Sequence, residues 1–68
     1  MNKIIFILVM LAPSGVTTYK FTDLQPDGTF TAYYKHSQFP DERKMRLLPE
    51  EVEELAENAT QIIQVEIN

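Results

Sequence analysis

The segment Ile4–Ala12 constrains this chain more than any other. It reads Ile-Ile-Phe-Ile-Leu-Val-Met-Leu-Ala, without one polar side chain. A membrane-spanning helix needs roughly 20 apolar residues, so the run is too short to cross a bilayer. Two structures suit it: a strand buried on both faces, or the apolar centre of a signal peptide. For the signal peptide speak Lys3 as a basic leader and Ala12-Pro13-Ser14 as a small-residue cleavage site. For the strand speak the β-branched Ile4, Ile5, Ile7 and Val9 and the aromatic Phe6, all suited to a pleated surface. Pro13-Ser14-Gly15 then forms a turn into a second strand-like segment. We take the strand as the main assignment and export with removal of residues 1–14 as the alternative.

A chain of 68 residues holds one domain. A domain this small buries only about 60% of the surface its unfolded chain exposes, and such folds usually add a staple. Cysteine is absent, which excludes disulfides, thiolate metal sites and thiol catalysis. His36 is the sole histidine and cannot build a zinc site alone. The staple left is self-association or a partner. At 44% hydrophobic and 24% charged, the chain fits neither a disordered nor a fibrous class.

Thr17 to Thr22 alternates, with Tyr19 and Phe21 on one face and Thr18, Lys20 and Thr22 on the other. Pro26-Asp27-Gly28 is a turn: proline presets φ, aspartate caps locally and glycine accepts positive φ. Thr29 to His36 returns, with Phe30, Ala32 and Tyr34 on one face and Thr31, Tyr33 and Lys35 on the other. Phe21 and Phe30 stand at similar distances from the turn, which predicts that they pair across the hairpin. Phe39-Pro40 ends the strand. The stretch 37–48 fits either a short helical turn from Pro40 or an edge strand with Met45 and Leu47 inward. Pro49, with Glu50 and Glu51 behind it, opens a helix to about Ala59, whose apolar stripe is Val52, Leu55, Ala56 and Ala59. Ile62 to Ile67 alternates as a half-buried last strand.

The fold expected is therefore α+β: a meander of Lys3–Leu11, Val16–Thr22 and Thr29–His36, a helix on one face, and a fourth strand beside the first. The most apolar strand is expected at the centre. The phase expected for it places Ile5, Ile7 and Val9 under the helix, with Tyr19, Phe21, Phe30, Ala32, Tyr34, Val52, Leu55, Ala56, Ile63 and Val65. Ile4, Phe6, Leu8 and Met10 are then left on the uncovered face as an interaction patch. In that phase Ile7→Lys unfolds the monomer and Leu8→Lys breaks only its assembly.

No catalytic site, cofactor or metal is expected. Ser37 adjoins His36 and points to the opposite face of an extended chain, so the two do not form a catalytic pair. Gly15 and Gly28 are too far apart for a phosphate loop. The glutamates of the helix read as a solvated acidic face. Asn58-Ala59-Thr60 matches a glycosylation sequon, a tripeptide common by chance. No motif is specific enough to point to a family.

Charge divides into two blocks. Lys35, Arg43, Lys44 and Arg46 precede Glu50, Glu51, Glu53, Glu54 and Glu57. Pairing of the first block with the second across neighbouring copies makes Arg43, Lys44 and Arg46 candidate interface residues. The net charge of −4 argues against a nucleic-acid partner. A hairpin face bearing Lys20, Tyr33 and Lys35 nevertheless makes weak single-strand binding a second alternative. The function expected is a non-enzymatic interaction or assembly module, most simply a cytoplasmic homodimer. Small accessory proteins of phages and mobile elements are often of this kind.

Overall fold

The computed structural model describes residues 4–65. Lys3, Glu66 and Ile67, which the sequence pattern adds to the first and last strands, lie outside them. The described residues form one open antiparallel sheet and one helix: β1 (Ile4–Ala12), β2 (Gly15–Leu24), β3 (Phe30–His36), β4 (Arg43–Leu47), α1 (Pro49–Glu57) and β5 (Gln61–Gln64). The strand order is β4-β3-β2-β1-β5. This is the small α+β fold expected, with one strand more. The ambiguous stretch before the helix resolves as edge strand β4, with Met45 opposite Ala32 and Leu47 opposite Phe30. The first and last strands are neighbours, Ile7 opposite Ile63. The centre belongs to β2 rather than to the more apolar β1.

The phase of β1 is the main correction. Leu8, Phe21 and Ala32 are wholly buried, and with Val52 of α1 they form the core. Phe6 packs against that cluster, its ring stacked on Phe21 at 4.6 Å between centroids and edge-on to Phe30 at 6.3 Å. Phe6 and Leu8 therefore lie under the helix, and Ile5, Ile7 and Val9, half-buried, line the bare face. Pairing explains the choice. Phe6 stands opposite Phe21 and Leu8 opposite Tyr19, so the bulky side chains of β1 join the aromatic side of β2. When both sets of a strand are apolar, alternation alone carries no phase.

The β2–β3 turn follows its residues. Gly28 takes φ +85°, and the Asp27 carboxylate accepts from the Thr29 amide at 3.0 Å and the Thr29 hydroxyl at 2.6 Å. A register irregularity between Phe21 and Leu24 shifts the ladder, so Phe21 pairs with Ala32 and Leu24 with Phe30. Phe21 and Phe30 thus do not pair directly; each meets the ring of Phe6. The β1–β2 turn needs its glycine. Gly15 has φ +137°, and a Cβ there would fall 2.5 Å from Ser37 Oγ and 2.9 Å from His36 Cε1. Ser37 closes this corner by accepting the Val16 amide at 2.9 Å and donating its own amide to the Val16 carbonyl at 2.8 Å.

Pro49 starts α1, and the Glu51 carboxylate accepts the Leu48 amide at 2.9 Å. Val52 is buried, and Leu55, Ala56 and Ala59 pack around the core. The helix stops at Glu57, two residues before the end expected from the alanine stripe. The Asn58 side chain donates to the Glu54 carbonyl at 2.9 Å. Thr60 then clasps β1, its amide on the Val9 carbonyl at 2.8 Å and its hydroxyl accepting the Leu11 amide at 3.0 Å. No helix among the described residues is long and apolar enough to cross a membrane.

Candidate interaction face

With Leu8, Phe21 and Ala32 turned toward α1, strand alternation turns their neighbours to the other side of the sheet. The register lays these out in rows. One row runs Ile63, Ile7, Lys20, Tyr33, Lys44 across all five strands. The next runs Gln61, Val9, Thr18, Lys35. Thr31 and Arg46 form a third pair on the far side of the first row. Ile5 lies beside Val65, whose amide donates to its carbonyl at 3.0 Å.

The bare face therefore has two halves. The β5–β1 half is apolar: Ile5, Ile7, Val9, Ile63 and Val65. Ile63 is 38% exposed, although its alternation suggested a core position. The β2–β4 half is basic: Lys20, Lys35, Lys44 and Arg46 around Tyr33. The five glutamates of α1, Glu50, Glu51, Glu53, Glu54 and Glu57, are on the other side of the sheet.

The residues singled out as an interface separate. Leu8 is in the core, Phe6 packs on it, and Met10 follows them on the helix side by alternation. Ile4 pairs with Thr22 beyond a register irregularity. The basic run is divided by the strand it forms. Arg43 pairs with Tyr34 on the helix side, where it lines a cleft with Phe39, Pro40 and Asp41, while Lys44 and Arg46 emerge on the bare face. Lys20, Tyr33 and Lys35 do share one face.

Two ion pairs partly neutralise the basic half. Lys20 Nζ lies 3.8 Å from Glu42, and Arg46 Nη1 lies 3.3 Å from Asp27. Both are exposed, so solvent screens them and each adds little to stability. Lys44, Arg46, Thr31, Gln25, Pro26 and Asp27 line an open cleft of about 350 Å³ at this end of the face. The Thr29 hydroxyl, then the Thr29 amide, then the Arg46 charge hold the Asp27 carboxyl below the usual aspartate range. Its folded pKa is depressed, so its contribution to stability is present above the unfolded value of 3.8 and is lost as pH falls through the folded value. Asp27→Ala is expected to lower the urea midpoint modestly at neutral pH, with the gap from the parent closing in acid below the unfolded value. A gap that stays constant across that range would remove the carboxylate from the turn's stability.

On the helix side a second groove, about 330 Å³, runs between α1 and β4 over Tyr19, Met45, Leu47 and Leu55, with Glu51, Glu54 and Asn58 at its rim. Burial, and the neighbouring Tyr34, raise the Tyr19 pKa. Among the described residues no three histidine, aspartate or glutamate side chains converge as metal ligands. His36 Nδ1 accepts the Gln38 amide at 3.1 Å, and the imidazole lies against Phe39, 5.4 Å between centroids. Ser37 Oγ is engaged with Val16, and Asn58 and Thr60 of the sequon hold the exit of the helix. Comparison with known proteins finds no match for this chain among family models, curated proteins or solved structures.

Proposed function

We propose that this chain is a non-enzymatic assembly module that works as a two-fold dimer, with the apolar half of its bare sheet face stacked on the same half of a second copy. The observation that carries this reading is the strip Ile5, Ile7, Val9, Ile63 and Val65, apolar side chains with no helix above them among the described residues. Ile63 is exposed and the other four are half-buried, and a contiguous apolar patch left partly open to solvent marks an interaction surface. The fully enclosed core is small and cysteine is absent, so a second copy supplies the staple a short chain needs.

Charge favours a second copy in one orientation. A two-fold axis parallel to β1 lays strip on strip and sends the two basic halves to opposite sides of the dimer. An axis across the strands would set lysines against lysines, which costs association energy. In the favoured arrangement Arg43, Lys44 and Arg46 lie away from the contact.

Sedimentation equilibrium from low to high micromolar concentration is expected to give twice the 7.9 kDa chain mass. Ile7→Lys should return a folded monomer, because it places two ammonium groups in the stacked strip while leaving the helix-side core intact. A parent protein that stays monomeric throughout that range would remove the assembly reading.

A further inference from the structure

We propose that the basic half of the bare face is a weak binding site for single-stranded nucleic acid, with Tyr33 as a stacking platform between flanking lysines. The site is distinct from the apolar strip, and the inference does not depend on dimer formation.

Three observations converge on it. The first is segregation of charge. Alternation on β2, β3 and β4 brings Lys20, Lys35, Lys44 and Arg46 to one face, while α1 carries its glutamates on the opposite side of the sheet. The net charge of −4 hides a local basic surface, and local charge decides where a polyanion lands. The second is the state of those cations. Glu42 holds Lys20 and Asp27 holds Arg46. Lys35 and Lys44 are exposed and form no ion pair among the described residues. The third is the position of the ring. Tyr33 pairs with Lys20 on one side and Lys44 on the other, so a base over the ring would have an ammonium group beside it on each flank. Base–aromatic stacking tolerates any base.

These features favour a single strand over other polyanions. A duplex keeps its base faces covered and would use only the lysines. An acidic peptide would likewise gain nothing from the ring. Affinity is limited by the small number of unpaired cations. With two to three phosphates neutralised, at about 0.7 in slope per phosphate, log affinity should fall against log salt with a slope between about −1.4 and −2.1.

The test is fluorescence anisotropy with a labelled oligothymidylate, a duplex of equal length and polyglutamate as competitor, each across a salt series. The single strand is expected to bind with the slope given, and the duplex and polyglutamate at least tenfold more weakly. Lys35→Glu with Lys44→Glu should weaken binding at least tenfold and flatten the slope. Tyr33→Leu keeps an apolar side chain in the strand and removes the ring. It should weaken binding at least fivefold at an unchanged slope, with Tyr33→Phe restoring the parent value and Glu53→Gln having no effect. Circular dichroism confirms that each variant is folded. Absence of binding at low salt, equal binding of duplex or polyglutamate, or full binding by Tyr33→Leu each overturns the proposal. Sedimentation reads the dimer and anisotropy the nucleic acid, so either can fail without the other.

Discussion

Leu8→Lys is expected to unfold the protein. Leu8 has no exposed surface and sits among Phe21, Ala32 and Val52, with Tyr19 opposite it on β2. An ammonium group placed there has no carboxylate partner in the core formed by the described residues. The cost of an unpaired buried charge is several kcal/mol. A chain of 68 residues has a total stability of about 3–10 kcal/mol, so one such charge consumes most or all of it. The adjacent change, Ile7→Lys, points to the bare face beside Lys20 and should leave a dispersed amide NMR spectrum and a cooperative urea transition. The pair of variants reads the phase of β1 directly. A folded Leu8→Lys with an unfolded Ile7→Lys would mean that the strand presents its other side to the helix.

Phe21→Ala should have the second-largest effect. Phe21 is fully buried, stacked on Phe6 and 6.1 Å from the Tyr19 ring, with only a methyl group, that of Ala32, opposite it on β3. Neighbours this short on one side and this rigid on the other cannot collapse into the space left behind. Large-to-small changes at such sites cost about 3–5 kcal/mol. In a domain of this size each kcal/mol moves the melting point by roughly 4–8 °C, so a drop of at least about 12 °C is expected. Phe39→Ala supplies the contrast. Phe39 is 63% exposed, and its loss should change stability by no more than about 0.5 kcal/mol. Similar thermal shifts for the two would show that the aromatic cluster is not the centre of the core.

The elements were legible where one physical rule acts alone. Pro26-Asp27-Gly28 has a single use as a turn, and Pro49-Glu50-Glu51 a single use as a helix start; both are found there. The stretch from Phe39 to Leu47 was not legible, because Met45 and Leu47 make an inward face only after β3 presents Ala32 and Phe30 to pair with them. The phase of β1 was hidden for a different reason. Every residue from Ile4 to Ala12 is apolar, so the choice rests on the aromatic side chains of β2, which lie elsewhere in the sequence. The candidate surface changes its members with that phase: Phe6 and Leu8 lie inward, and Ile5, Ile7 and Val9 outward. The basic run misled similarly. Arg43 and Lys44 are neighbours in sequence and stand on opposite faces of the sheet. Lys20, Tyr33 and Lys35 could be grouped because their strands alternate cleanly. The addition of Lys44 and Arg46 to them required knowing that β4 is a strand.

The two edges of the sheet run parallel to one another, since each pairing from β4 to β5 is antiparallel, and α1 carries the chain from one edge to the other. The consequence concerns the order of events in folding. Strands β1 to β4 follow one another through short connections, so each ladder closes a small loop. The β5 ladder closes the longest one: Thr60 meets Leu11 across 49 residues. Loop-closure entropy must be met before such a contact stabilises anything, which makes distant pairings late and slow. The meander is therefore expected to form first and β5 to close on it last, as a latch. When the latch opens, the free edge of β1 and the apolar strip beside it are uncovered together while the other ladders hold. Closure of the four residues Gln61–Gln64 is thus the step expected to take a sticky edge out of reach of other chains.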